Sequence, residues 1–250
     1  YMAMAGWKPQ QMIDGISGIM SLAAASGEDL GTTSDIVTDA LTAFGLQAGD
    51  AGHFADVLAQ ASANANTNVS MLGESFKYVA PVAGAMNYSV EDTSLALGLM
   101  ANASIKGSMA GTALKTSLAN MAAPTDSMAA AMDKYGISLT DSEGNMKSLR
   151  GVIDNLRGSL GGLSETEQTA AASTIFGKEA MAGMLAIINA SEEDYNKLST
   201  AIGNSKDAAE GMADTMLDNL KGSFTLMQSA IEGTENAFGK RLSPYLRDIA

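Results

Sequence analysis

The sequence predicts an all-α protein: a multi-helix bundle of short Ala/Gly/Met-rich helices, with one small β-hairpin and a long C-terminal helix. Three observations predict it. Apolar residues recur at steps of three and four through most of the chain. Capping residues stand just before several of those stripes, among them Ser89, Thr125, Ser164 and Ser191. The 250 residues include 26 Gly and 17 Met but are only 5% aromatic, so small and adaptable side chains must fill the core. Few bulky anchors imply modest stability for a chain of this size.

Four regions are expected. Residues 1–124 form an N-terminal helical core, 125–147 a connector with the β-hairpin, 148–203 a second helical part, and 204–250 a long helix or coiled-coil stem. In the first region, Tyr1 to Ala5 reads as the end of an earlier helix. Pro9 suits the first turn of the next, where its missing N–H costs nothing. Met12, Ile16, Ile19, Met20 and Ala23 make its stripe, and Trp7, the only tryptophan, is expected to anchor it to the core. Residues 26–29, SGED, end it. A second helix turns Ile36, Val37, Ala40, Leu41 and Phe44 inward and stops at Gly45. A third carries Phe54, Val57, Leu58 and Ala61 into the polar run ANANTN.

Residues 71–114 read as three short helices joined by tight turns. Ser70 is the expected cap of the first, and Leu72, Phe76, Val79 and Val82 are apolar positions along it. Pro81 lies inside this stretch and is expected to kink or end the helix. Asn87 and Tyr88 turn the chain, and Ser89 with Asp92 has capping-box spacing. Leu95, Leu99 and Met100 stripe the second helix. Ala110, Leu114 and Leu118 stripe the third. Ala80 and Gly84, like Gly107 and Gly111, stand four apart on one helix face, where a missing side chain lets a neighbouring helix approach. A Glu-Asp pair recurs about sixty residues apart, at Glu28-Asp29 and Glu91-Asp92, which suggests an internal repeat.

Pro124 closes the first region. Thr125 caps a short helix to Tyr135. Ile137 and Leu139 then alternate, Glu143-Gly144-Asn145 can turn, and Met146 begins a return strand. Ser148 to Leu163 is expected to be helical, Ser164-x-x-Glu167 is a full capping box, and that helix ends near Phe176-Gly177. Met181, Met184, Leu185 and Ile188 stripe the next helix, and Ser191 caps another with Tyr195, Leu198 and Ile202. From Asp207 to Leu242 the pattern predicts one long helix, roughly 50 Å at 1.5 Å per residue. Leu217, Leu220, Phe224, Met227, Ile231 and Phe238 follow alternating steps of three and four, with Thr234 in the gap. That is a heptad seam, which packs either on its own domain or on a copy of itself. Gly211, Gly222 and Gly233 interrupt it, and Pro244 starts or kinks the last piece.

Composition excludes several function classes. There is no cysteine, so disulfides and thiolate metal sites are absent. The formal net charge is −13 and no Lys/Arg run appears, so no specific nucleic-acid binding is expected. No run of about 18 apolar residues exists, and no transmembrane segment is expected. Residues 1–25 lack the basic start and cleavage pattern of a signal peptide, and the chain is expected to be an excerpt of a longer protein. His53 is the sole histidine, which leaves no multi-histidine metal site; a helix N-terminal position beside Gly52 is its expected use. An EF-hand loop at Asp141 fails because Met146 stands where glycine is needed. No phosphate-binding glycine loop and no G-x-S-x-G elbow is present. No catalytic, cofactor-binding or metal-binding residues are therefore assigned.

One enzymatic pattern needs weighing. Glu74-Ser75-Phe76, followed by Gly98-Leu99-Met100, is similar to the catalytic Glu-Ser and Gly-Leu-Met-Gln segments of lytic transglycosylases. That resemblance implies Glu74 as a general acid with a pKa raised by burial. Ala101 stands where the glutamine belongs, and Glu74 equally suits the first turn of a helix, near its positive end.

The stretch FKYVAPVAGAMNYSVEDTSLALGLMANASIKGSMAGTAL resembles the core region of phage tail tape measure proteins of long-tailed phages and prophages of Gram-positive bacteria. The resemblance extends upstream through GEDLGTTSDIVTDALTAFGL and HFADVLAQASANANTNVSMLGESFKYVAPVAGA. It continues more loosely through LTDSEGNMKSLRGVIDNLR and IFGKEAMAGMLAIINAS. It implies a structural scaffold that rules tail length, fills the tail tube and leaves before DNA passes. It implies tail-assembly chaperones, tail tube subunits and copies of itself as partners, the last through the C-terminal helix. It places the protein in the virion tail tube, and in the host cytoplasm during assembly. A membrane-active helical protein aiding DNA entry is the third reading, implied by the same resemblance, since tape measure proteins can help DNA cross the host membrane; the lack of an 18-residue apolar run counts against insertion as folded.

Overall fold

The computed structural model describes residues 2–219, 222–231 and 233, and every regular element among them is helical. In chain order these are α1 Pro9–Ser26, α2 Leu30–Phe44, a 3-10 turn at Ala48–Asp50, α3 Ala51–Asn64, α4 Val69–Ala85, α5 Val90–Asn102 and α6 Gly107–Ala122. They continue as α7 Asp126–Tyr135, α8 Leu149–Leu160, α9 Glu165–Phe176, α10 Met181–Ile188, α11 Glu192–Gly203 and α12 Ala208–Leu217. After a break, residues 222–231 are helical again.

α5 is the axis of the bundle. Val90 and every residue from Asp92 to Ala101 are buried. A helix apolar on all sides needs neighbours on all sides, and α3, α4, α6, α8, α10 and α11 supply them. One contiguous core runs from Ile19 in α1 to Ala209 in α12. Its largest fully buried side chains are Phe54, Phe76 and Phe176. Phe76 sits edge-on to Phe54 at 5.5 Å and to Phe44 at 5.8 Å, the arrangement the ring quadrupoles favour.

Small residues set the closest helix crossings, as their spacing predicts. A Cβ on Gly111 would stand 2.2 Å from the Ser75 carbonyl oxygen, so α6 lies directly on the α4 backbone. The Ser75 hydroxyl donates across that crossing to the Gly107 carbonyl at 2.8 Å. Gly84 meets the Ala43 carbonyl in the same way, and Gly18 in α1 meets the backbone of Gly52. Gly18 has no small partner four residues away, with Asp14 on one side and Leu22 on the other, so spacing alone does not signal this contact.

Most caps fall where expected. Ser89, Thr125, Ser164 and Ser191 each accept from a backbone N–H three residues on, and Ser148, read as the first helical residue, proves to be the cap of α8. The α4 cap is a correction: Asn68, not Ser70, accepts from the Met71 N–H at 2.8 Å. Pro81 neither ends α4 nor marks its boundary. It lies on the exposed face, as does Lys77, the residue whose carbonyl loses its helical donor. In α1 the buried face is Gly15, Gly18, Ile19, Leu22 and Ala23, while Met20 is exposed. The helix is turned because Trp7 packs on Gly15 and Gly18 crosses α3.

The β-hairpin does not form. Among the described residues it reduces to a single antiparallel bridge between Thr140 and Met146. The turn itself is present, built on Asp141, whose carboxylate accepts from the N–H groups of Glu143 and Asn145, each at 2.9 Å. The return strand fails because Met146 is exposed and has no apolar surface to cover. The long helix from Asp207 to Leu242 also does not form as one piece. α12 stops at Leu217, and Asn219 starts the next helical stretch by accepting from the Gly222 N–H at 2.9 Å.

Candidate functional site

The residues singled out as a seam are held up by α12, and α12 is held by the N-terminal core. It packs on α1 and α3, burying only Ala209 and Ala213. It has no capping side chain of its own. Instead Asp56 of α3 supplies one from 151 residues away: its carboxylate accepts from the Asp207 N–H at 2.8 Å and the Ala209 N–H at 2.9 Å. A carboxylate at a helix N-terminus satisfies two orphan donors and complements the helix dipole. Asp207 itself takes a left-handed backbone, φ 61°, to bring both groups to Asp56.

Beyond the break the seam faces water. Leu217 is half-buried, whereas Phe224, Met227 and Ile231 are 62%, 53% and 52% exposed. Leu220 and Phe238 lie outside the described residues. A groove of about 420 Å³ runs beside the break, lined by Met20, Ala24 and Leu30 on one side and Met216, Leu217 and Gly222 on the other.

Glu74 lies half-buried on α4, in an open cleft that it shares with Asp35, Lys77 and the first residue of α6, Gly107. His53 sits in the first turn of α3, as expected, and its Nε2 lies 2.7 Å from Glu91 of α5. Among the described residues no three His, Cys, Asp or Glu side chains converge to hold a metal. No described helix is long and apolar enough to cross a membrane.

Two arginine clasps tie α8 to its neighbours, one reaching back to α5 and the other holding α10 and α11, and neither is visible in the sequence pattern. Arg150, in the first turn of α8, donates its backbone N–H to Asp92 at 3.0 Å and its Nε at 3.1 Å, and also reaches the Ser199 hydroxyl. Asp92 therefore serves α8, not the return bond of its own capping box. Arg157, only 11% exposed, gathers the C-terminus of α10. It donates to the carbonyls of Ile187 at 3.0 Å and Ala190 at 2.8 Å, pairs with Glu192 at 2.7 Å, and lies 4.8 Å over the Tyr195 ring. Burial, with the Asp154 carboxylate accepting from its hydroxyl at 2.5 Å, pushes the Tyr195 pKa well up. Burial alone pushes Tyr88 to about 12. At the surface, the Thr32 hydroxyl and N–H hold the Asp29 carboxyl below the usual carboxylate range. Ser164 does the same for Glu167. These groups serve helix ends and joints, and what they do is hold helices together.

A family profile described as phage-related minor tail protein matches residues 1–177. Over 248 residues, 99% of the chain, the sequence is 40% identical to the tape measure protein of Pneumococcus phage Dp-1, and it covers 22% of that protein. Over 85% of the chain it is 28% identical to the probable tape measure protein of Escherichia phage P2, of which it covers 26%. The chain thus spans about a quarter of the length of these curated relatives. No solved structure matches it.

Proposed function

This chain belongs to the phage-related minor tail protein family, and on that premise we propose that it is a segment of a tape measure protein, a structural component that scaffolds and rules the tail during assembly and takes part in genome delivery. The observation that carries the reading is 40% identity, sustained over 99% of the chain, to a tape measure protein. The mechanism is mechanical. Length is encoded by extended helical polypeptide elsewhere in the parent protein, and this segment is a folded core from which such a stem continues.

Three features support a load-carrying part. The core is contiguous from α1 to α12. The clasps of Arg150 and Arg157 tie elements distant in sequence. The exposed Phe224, Met227 and Ile231 offer an apolar stripe to a second copy, which makes self-association through the C-terminal helix part of the proposal. Tail-assembly chaperones and tail tube subunits are the other partners proposed. With a net charge of −13 the segment repels DNA that passes close by. The site of action proposed is the virion tail, after assembly in the host cytoplasm.

No enzymatic step is assigned. Glu74 stands beside Lys77 on an open cleft, and the glutamine of the transglycosylase pattern is Ala101.

Tail length is the test. Removing helical residues in frame from the stem of the parent protein should shorten tails by about 1.5 Å per residue removed. Tails of unchanged length would overturn the ruler reading. A zymogram band that is lost in Glu74→Gln would overturn the non-enzymatic one.

A further inference from the structure

The first six helices follow one pattern twice. α1 and α2 begin at Pro9 and Leu30, and α4 and α5 begin sixty residues on, at Val69 and Val90. Asp29 and Ser89 cap the second helix of each set, accepting from the N–H three residues on. Thr33 and Thr93 then donate their hydroxyls to the cap carbonyls, at 3.0 and 2.7 Å. The stops match as well. Gly45 and Ser104 are left-handed, φ 69° and 67°, and the N–H groups of Leu46 and Ile105 donate to the carbonyls of Leu41 and Met100. The 3-10 turn at Ala48–Asp50 takes the place of the first turn of α6. Gly15 faces the Ala48 carbonyl as Ser75 faces that of Gly107. The Glu-Asp pairs themselves are not equivalent positions, since Asp29 matches Ser89 and Asp92 matches Thr32.

The first three-helix unit lies on the second through α2 and α4. A Cβ on Gly73 would stand 2.5 Å from the Ile36 side chain, and one on Gly84 2.2 Å from the Ala43 carbonyl oxygen. Ala80, between them, is buried. The same positions of α1 are Ile13, Met20 and Ala24, and there Ile13 is 65% exposed and Met20 54%. So α1 offers large apolar side chains to water on the face where α4 takes a helix. A second observation comes from residues 2–7. Gly6 is left-handed, φ 82°, its N–H donates to the Ala3 carbonyl, and the Trp7 N–H donates to the Met2 carbonyl, each at 3.1 Å. This pair of bonds also closes α2 and α5, and it is the Schellman motif of a helix C-terminus. In the repeat, residues 2–4 match 62–64, the last turn of α3.

We propose that the face of α1 marked by Ile13 and Met20 is the docking surface for a third such unit, supplied by about sixty residues upstream in the parent protein. Its second helix lies on α1 as α2 lies on α4, and its third ends at residues 2–6. The docking rests on the reading that this chain is a segment of a longer tape measure protein. Ile13 and Met20 are large where Gly73 and Ala80 are small, so ridge and groove change sides. The incoming helix therefore carries glycine or alanine opposite Ile13, where α2 carries Ile36 opposite Gly73. A second copy of this chain has no such helix to offer, because its α2 is taken by α4 and its α5 is buried on every side.

The chain has no cysteine, so Ile13→Cys places a single thiol on that face. Its rate of labelling is compared in residues 1–250 and in the same chain extended upstream by the parent sequence. Labelling should be slower by at least about tenfold in the extended chain, since burying one such side chain is worth that factor, and by the same factor at every protein concentration. Met146→Cys, on an exposed turn, should label alike in both. Hydrogen exchange of the unsubstituted chains gives a second reading: the amides of α1 should exchange more slowly in the extended chain, together with protected helical residues upstream. Equal labelling and equal exchange in the two chains would overturn the docking. So would protection that appears only as concentration rises, since a second copy would then be the occupant. Neither result bears on tail length, so the ruler reading stands or falls separately, on the stem deletions.

Discussion

At Gly111 a missing side chain lets α6 rest on the backbone of α4, with the Ser75 carbonyl in the space a methyl group would need. Backbone cannot rotate away as a long side chain can, so Gly111→Ala must push the helices apart. The expected loss is about 1–3 kcal/mol, the usual cost of overpacking, read as a lower denaturant midpoint with unchanged slope. Charge acts at the residue scale too. The Asp29 carboxyl, capping α2, is held below its ordinary pKa by Thr32, and Ser164 holds Glu167 down likewise. A lowered folded pKa gives stability that is present above the unfolded value and lost as pH falls through the folded one. Stability should therefore decline below about pH 4, the ordinary carboxylate range. Asp39 opposes this, because burial and Asp35 raise its pKa, so its protonation on acidification favours the fold. Asp29→Asn keeps a good cap without the titration. Chemical denaturation at neutral pH and near pH 3 should show a smaller acid loss for that variant than for the parent.

At the scale of the element, what sequence revealed and what it hid have physical causes. The stripes of α2, α3 and α6 are legible because burial on one face leaves a helical period in the sequence, whereas α5, buried on every side, shows as a capped apolar run. The serine and threonine caps were legible because their bond spans only three residues. Asp56 and the two arginine clasps were not, because each joins elements far apart in sequence, and a lone Arg or Asp in a helix looks like any solvated charge. The alternation at Ile137 and Leu139 overstates the hairpin: Asp141 supplies the turn, but a strand also needs a surface to lie on. The seam was read as one helix because its period is unbroken, and nothing in the period reveals that Asn219 caps a second start. Arg157 tests this level. Arg157→Ala removes the guanidinium that donates to the Ile187 and Ala190 carbonyls and pairs with Glu192. The expected cost is about 2–3 kcal/mol, with faster hydrogen exchange confined first to α10 and α11. Arg157→Lys should recover only part, since an ammonium cannot reproduce the planar fork.

As a whole molecule, the chain is a helical core carrying an arm. α5 sits at the centre, Arg150 joins α8 to it, Arg157 ties α8 to α10 and α11, and α12 is latched to α1 and α3 before the apolar stripe runs out into solvent. The proposal that follows is a division of labour, in which stem length sets tail length and the folded core does something a spacer cannot. Deleting residues 71–114 in frame from the parent protein tests that most directly. The deletion removes α5 and most of α4, so the core cannot close. Electron microscopy of the resulting lysates should then show few or no complete tails, and the rare complete particles should fail to deliver DNA. Abundant, infectious particles whose tails are uniformly shorter in proportion to the residues removed would contradict the account, because the core would then be ruler and nothing more.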